Sequence, residues 1–162
     1  MRSGSDMEAA IDTHGNTVWR VCTLAIKSYA DAQDAFQEVF LKYALNETPF
    51  KDEEHRKAWL IRVAVNTCKD MLRAAHRKNV SLDEGLENGV EPLAHAQEGF
   101  GSATQEVLDA MDALGDPPKT PIYLALYEGY SAPEIATMLD APVNTVYSWI
   151  ARGKQQLKEA LA

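Results

Sequence analysis

Ser131-Ala132-Pro133-Glu134-Ile135-Ala136-Thr137-Met138-Leu139-Asp140-Ala141-Pro142-Val143-Asn144-Thr145-Val146 is the stretch from which the architecture follows. Its first four residues form a capping box: the Ser131 hydroxyl and the Glu134 carboxylate can each satisfy a free amide at a helix start, and Pro133 is tolerated in the first turn. The helix that follows buries Ile135, Ala136 and Leu139. Asp140-Ala141-Pro142 then turns the chain into a second helix, buried through Val146, Ile150 and Leu157. That second helix leaves Thr145, Ser148, Trp149 and Arg152 in an exposed row, with Tyr147 beside it. Two helices joined by a tight turn, the second carrying such a row, make a helix-turn-helix suited to a DNA groove. A packing hairpin is the competing interpretation, and it leaves the row without a purpose.

Upstream, Ile122 to Tyr127 reads as a helix ending at Glu128-Gly129. Before it, Val107, Leu108, Met111 and Leu114 mark an amphipathic helix stopped by Gly115-Asp116-Pro117-Pro118. Residues 79–102 hold Gly85, Gly89, Pro92, Gly99 and Gly101 with little periodic hydrophobicity, and are expected to be a flexible acidic linker.

On the other side of that linker lies a basic segment, Ala58-Trp59-Leu60-Ile61-Arg62-Val63-Ala64-Val65-Asn66-Thr67-Cys68-Lys69-Asp70-Met71-Leu72-Arg73-Ala74-Ala75-His76-Arg77-Lys78. Wound as a helix, it places Arg62, Asn66, Lys69, Arg73 and Arg77 on one stripe with Trp59 at its edge. Leu60, Val63, Ala64, Thr67, Met71 and Ala75 fall opposite. Guanidinium, ammonium and amide donors beside an indole can hold a polyanion and stack on a base. On this segment alone, a merely solvated face accounts for the stripe equally well.

The charge layout sharpens the choice. The chain carries a formal net charge of -8, yet residues 55–78 hold seven cations against one anion, Asp70, while residues 79–116 hold nine anions and no Lys or Arg. An acidic bulk weakens indiscriminate DNA binding, and a local stripe keeps its own field within a screening length of roughly 8 Å.

Two further helices precede the basic one. Residues from about Glu8 to Tyr29 bear apolar Val18, Cys22, Leu24 and Ala25; Asp31 to Leu45 bears Phe36, Val39, Phe40 and Tyr43 on one aromatic face. Asn46-Glu47-Thr48-Pro49-Phe50 interrupts the helical pattern, and the basic helix starts near Asp52 or Glu53, whose carboxylates suit a helix N-terminus. Met1 to Met7 reads as an added leader or disordered N-terminus outside the fold, with Met7 a candidate natural start.

The composition excludes several classes. At 162 residues and 46% hydrophobic content the chain makes one ordinary domain or two small ones. No run reaches the roughly 18 apolar residues of a membrane span and no secretory pattern opens the chain, so membrane insertion is not expected and a cytoplasmic location is. Cys22 and Cys68 are too far apart for a zinc knuckle and are expected as buried free thiols. His14, His55, His76 and His95 are scattered, and no phosphate loop or metal-ligand spacing occurs, so neither catalytic residues, nor metal, nor cofactor is expected. A hydrolase with a DNA-binding tail would need convergent polar residues that the pattern does not supply.

Taken together, three separate motifs resemble the extracytoplasmic-function (group IV) class of bacterial RNA polymerase sigma factors, in the family's order and over about Val18 to Leu161. Asp34-Ala35-Phe36-Gln37-Glu38-Val39-Phe40-Leu41 is similar to the family's polymerase-clamp-binding helix. Trp59 to Thr67 resembles its promoter-melting helix, and Glu128-Gly129-Tyr130-Ser131 through Val146 resembles its fourth-region helix-turn-helix. The resemblance implies an all-α protein of two small helical domains. A region 2-like bundle would span 8–78, the acidic linker 79–102 and a region 4-like helix-turn-helix domain 103–162. It implies a non-catalytic adaptor that docks on core RNA polymerase, recognises promoter DNA and helps open it.

Carried over by residue, the resemblance gives polymerase binding to Asp34, Gln37, Glu38, Phe40 and Leu41. Minus-ten DNA binding falls to Phe50, Trp59, Arg62, Asn66, Lys69, Arg73 and Arg77, with Asn66 at the position contacting a flipped non-template base and Phe50 in the segment closing over it. Minus-thirty-five binding falls to Thr145, Tyr147, Ser148, Trp149 and Arg152. An anti-sigma factor is implied as a further partner, and the free chain is expected as a monomer. The chain departs from the family where basic residues usually stand, carrying Tyr147 and Trp149 instead, and Pro117, Pro118 and Pro121 occupy a usually charged helical approach. The alternative is a polymerase-independent helix-turn-helix regulator, dimeric on a palindromic duplex site, which leaves the clamp-like helix and the Asn66 stripe unexplained.

Overall fold

The computed structural model describes residues 1–82, 106, 109–111, 113–115 and 118–161, the side chains of 79–82 excepted. The chain divides into two compact units, Met1–Ala96 and Gln97–Ala162. Among the described residues every regular element is a helix.

The first unit is a three-helix bundle of α1 (Gly4–Ala25), α2 (Tyr29–Leu45) and α3 (Glu53–Leu82), each packed on the other two. Ser3 caps α1 by accepting from the Asp6 amide, Ser28 caps α2 by accepting from Asp31, and Asp52 caps α3 by accepting from the His55 amide at 2.8 Å. Three boundaries differ from the sequence expectation. The first helix ends at Ala25 rather than running to Tyr29, because the Ser28 cap starts a new helix there. The supposed leader is part of the fold: α1 begins at Gly4, and the Arg2 amide donates to the Ala44 carbonyl at 2.9 Å. The basic helix continues to Leu82, past the expected linker start at Asn79, and the remainder of the 79–102 linker lies outside the described residues.

The bundle core joins Val18, Val21 and Cys22 of α1, Ala32, Ala35, Val39 and Tyr43 of α2, and Leu60, Ile61, Ala64 and Cys68 of α3. Cys22 and Cys68 are both free and buried, and hydrogen bonding between them, with burial, raises the Cys22 thiol far above its ordinary range. Such thiols are inert packing groups. Rings continue the core in sequence: Trp19 meets Tyr29 and Phe36 edge-on, Phe36 meets Phe40, and Phe40 meets Tyr43.

Polar ties join the three helices. The Tyr43 hydroxyl donates to Asp6 Oδ1 at 2.6 Å and accepts from Arg56 Nε at 3.1 Å, linking α1, α2 and α3 through one buried atom. His14 Nε2 lies 2.8 Å from Glu53 Oε1, and Lys42 Nζ donates to Thr67 Oγ1 at 2.9 Å. The Tyr43 hydrogen bond, reinforced by Arg2 and Arg56, holds the Asp6 carboxyl below its usual range. Burial, with the hydrogen bond to Asp6, pushes the Tyr43 phenol above its own.

The second unit holds α4 (Lys119–Leu126), α5 (Ala132–Leu139) and α6 (Val143–Leu161). The expected helix over Val107 to Leu114 is helical at 106 and 109–111, with its other residues either outside those described or in the following turn and bend. Helix α4 starts at Lys119, three residues before the expected Ile122, since Pro121 fits a first turn whose amides are unpaired anyway. Gly129 has φ 82°, a left-handed turn that lets the Tyr130 amide reach back to Leu124 at 3.0 Å.

Ser131 and Glu134 form the complete capping box, and α5 buries Ala132, Ile135, Met138 and Leu139, with Ala136 only half-buried. Asp140 ends it at φ 54°, with the Ala141 amide closing back on Ala136 at 3.0 Å. Helix α6 packs on α4 through Gly153, where an added Cβ would stand 3.1 Å from Ile122 Cβ.

Two outcomes follow. Gly153→Val should destabilise the intact chain by about 1–3 kcal/mol, since the added methyls overpack against Ile122; thermal unfolding checks this, and Ile122→Ala in the same chain should recover part of the loss. The depressed Asp6 pKa contributes stability present above about pH 4 and lost as pH falls through the folded value. The raised Tyr43 pKa contributes stability present below about pH 10 and lost as pH rises through its folded value. Denaturant titrations across pH should therefore show Asp6→Asn flattening the acid limb and Tyr43→Phe flattening the alkaline one.

Candidate nucleic-acid interface

Helix α3 buries Leu60, Ile61, Ala64, Val65, Thr67 and Cys68 and leaves Arg62, Asn66, Lys69, Arg73 and Arg77 exposed. The buried face is centred closer to the helix start than the sequence pattern suggests: Val63 and Met71 are half-buried, and Ala75 is exposed because the helix has outrun its neighbours. From Arg62 to Arg77 the stripe extends about 22 Å at ~1.5 Å per residue, the length of about six phosphates on one strand. Asp70, the single anion near it, approaches Arg73 only at 3.5 Å on an exposed surface, so that pair contributes little.

Phe50 and Trp59 sit where the stripe meets the α2–α3 loop. Both are half-buried, their rings 5.7 Å apart, and both rest on Tyr43: Phe50 parallel to it at 6.2 Å with 10° between planes, Trp59 tilted at 6.0 Å. Trp59 therefore serves packing and surface together. The loop is tightened by Asn46 Oδ1 accepting from the Thr48 amide at 2.9 Å and His55 Nδ1 accepting from the Lys51 amide at 3.0 Å. Around Phe50 stand two guanidinium groups, Arg2 at 5.0 Å and Arg56 at 5.3 Å from the ring centroid. Arg56 also pairs with Glu53, and its charge is reinforced by the Tyr43 hydroxyl and nearby carboxylates against the opposing effect of burial. Neither Arg2 nor Arg56 figured among the sequence candidates, because the contacts that bring them to Phe50 join segments distant in sequence.

On α2, Asp34, Gln37, Glu38 and Leu41 are exposed, whereas Phe40 is only 5% exposed. Contrary to the sequence expectation, Phe40 offers no surface contact: it packs between Phe36 and Tyr43, as its place on the aromatic face requires. Leu45, 63% exposed and four residues beyond Leu41, extends the outward row in its place. The i,i+4 spacing from Leu41 was the available signal.

On α6, Ser148, Arg152 and Tyr147 are exposed, Tyr147 by 56%, while Thr145 and Trp149 are half-buried. Val146, Gly153 and Leu157 form the face packed into the unit. Among the described residues no group of three or more His, Cys, Asp or Glu is placed to hold a metal ion, and no helix is long and apolar enough to cross a membrane.

The Sigma-70 region 2 family matches residues 10–78 and the Sigma-70, region 4 family matches residues 104–157. The ECF RNA polymerase sigma-E factor of Haemophilus influenzae is 32% identical over 141 residues, 81% of this chain and 75% of that protein. The RNA polymerase sigma-H factor of Pseudomonas aeruginosa is 29% identical over 141 residues, 81% of this chain and 73% of that one. Among solved structures, the sigma factor RpoE of Bartonella quintana, crystallised with the anti-sigma factor NepR, shares the fold with a TM-score of 0.72 at 20% identity, covering 96% of both chains. Through its two matched regions and its sigma-E relatives, the chain belongs to the ECF class of RNA polymerase sigma factors.

Proposed function

We propose that this sigma factor divides its work among three surfaces. The domain over 8–78 docks on core RNA polymerase through Asp34, Gln37, Glu38 and Leu41 and holds minus-ten DNA on α3. The domain over 103–162 reads the minus-thirty-five element through Thr145, Tyr147, Ser148, Trp149 and Arg152. The acidic segment over 79–102 connects them. The protein acts in the cytoplasm as a non-catalytic subunit, and an anti-sigma factor is its regulatory partner.

The observation that carries the reading is the exposure of Asn66 within a cationic stripe that ends beside Phe50 and Trp59. Arg62, Lys69, Arg73 and Arg77 neutralise phosphates of a separated strand, each contact adding about 0.7 to the salt slope. Extruding a base costs a few kcal/mol. Stacking on an aromatic ring returns about 1–3 kcal/mol, and an amide can both donate to and accept from a polar base edge. Cations thus set the register of the strand, and Asn66 with Phe50 supplies the choice of base.

Asn66→Ala should impair promoter opening by about 1–3 kcal/mol while leaving polymerase binding unchanged. Glu38→Ala should weaken polymerase binding first, by about 1 kcal/mol or more. Binding to core enzyme and transcription from a broad promoter library measure the two separately. Equal loss of polymerase binding in both variants would overturn the division of roles, and absence of both polymerase binding and promoter-directed transcription in the native chain would overturn the function.

A further inference from the structure

The segment that carries Phe50 has no regular structure of its own, running from the end of α2 at Leu45 to the start of α3 at Glu53. A ring meant to receive a base must nevertheless stand in place before the base arrives, since ordering it on binding would subtract from affinity. Beyond the local bonds of Asn46 and His55, the side chain of a residue more than forty positions away ties this segment to the bundle.

Arg2 is only 9% exposed at its side chain. Its Nε donates to the Tyr43 carbonyl at 3.1 Å, its Nη2 to the Thr48 carbonyl at 2.7 Å and its Nη1 to Asp6 Oδ2 at 3.1 Å. One guanidinium therefore ties a carbonyl in the last turn of α2, where intrahelical donors run out, to a carbonyl within the loop. Its Cζ also lies 4.4 Å from the Tyr43 ring centroid and 5.0 Å from that of Phe50, so it spans the pair of parallel rings. Asp6 fixes the guanidinium from behind, and Asp6 is itself held by Tyr43. An ammonium could not reproduce this, because it lacks the planar fork that reaches three acceptors while lying against rings.

We propose that Arg2 is a positioning residue for base capture: it binds no DNA itself and acts by locking the Phe50 loop in its receiving conformation. The proposal rests on the reading that Phe50 and Asn66 meet an unpaired base. It separates Arg2 from the stripe cations, which act on phosphates directly.

The test uses the full chain bound to core polymerase and a single-stranded oligonucleotide selected from a random pool on the native holoenzyme. Phe50→Ala should weaken oligonucleotide binding about tenfold, the scale of one lost aromatic platform. Arg2→Ala and Arg2→Lys should each weaken it by about threefold to tenfold, and neither should weaken it further in the Phe50→Ala background. The salt slope should stay at the native value in both Arg2 variants, whereas Arg73→Ala should lower it by about 0.7. Arg2→Lys keeps the charge, so its failure to rescue is the signature of a geometric role. A slope lowered by Arg2→Ala, a full rescue by lysine, or additive losses with Phe50→Ala would overturn the proposal. Native binding in both Arg2 variants, with Phe50→Ala impaired, would overturn it alone; native binding in Phe50→Ala and Asn66→Ala as well would overturn the underlying reading with it. Core-polymerase affinity should be unchanged in the Arg2 variants, and a loss there would show the effect to be one of folding and sink the positioning role.

Discussion

The first unit depends on one buried phenol. Tyr43 is fully buried, yet its hydroxyl donates to Asp6 on α1 and accepts from Arg56 on α3, so three helices meet at a single oxygen. Burying that oxygen without partners would cost several kcal/mol. With both partners present, the ring becomes a rigid floor on which Phe50 and Trp59 lie. The polar network and the aromatic surface are thus one construction: the charges that satisfy Tyr43 also hold the loop that presents Phe50.

This arrangement lets α3 carry opposed duties. A thirty-residue helix cannot be buried all round while holding a cationic stripe, and α3 resolves this by packing only one side against α1 and α2. Near its start, where neighbours are close, Leu60, Ile61 and Ala64 are fully buried; by Ala75 the helix stands clear and every side chain through Lys78 is exposed. The anchored half holds Asn66 in a fixed place on the bundle, and the projecting half leaves Arg73 and Arg77 exposed, where the proposed reading puts the separated strand.

Much of this was legible in the sequence because it follows from local rules. The Ser131–Glu134 capping box, the Asp140 turn, the break at Pro49 and the cationic stripe each arise from spacings within one or two helical turns, and each stands as those spacings dictate. What was not legible there had two sources: one local pattern overridden by a motif, and contacts distant in sequence. Phe40 falls within a motif that resembles a surface helix, yet its i−4 and i+3 companions, Phe36 and Tyr43, place it in the core. Arg2 lies in a segment that reads as outside the fold; its i,i+4 pairing with Asp6 is local, but its bonds to carbonyls more than forty residues away leave no sequence signal. Side chains that donate to backbone carbonyls leave no pattern in composition or period.

The two units also divide binding strength unequally under the proposed reading. Affinity derived from phosphates scales with the number neutralised, and α3 offers Arg62, Lys69, Arg73 and Arg77 on one face. The opening turns of α6, the part of a recognition helix that reaches base edges, offer hydroxyls and the exposed ring of Tyr147, with cations entering only from Arg152 onward. Hydroxyl and ring contacts discriminate bases or groove shape without releasing counterions. The upstream contact is therefore one of low salt dependence, and the energy that separates strands must come from the α3 surface together with the polymerase on which it is held. Under that reading a chain with net charge -8 gains from this division: its acidic surface disfavours DNA in general, and most of the attraction is concentrated on the helix at which melting is required.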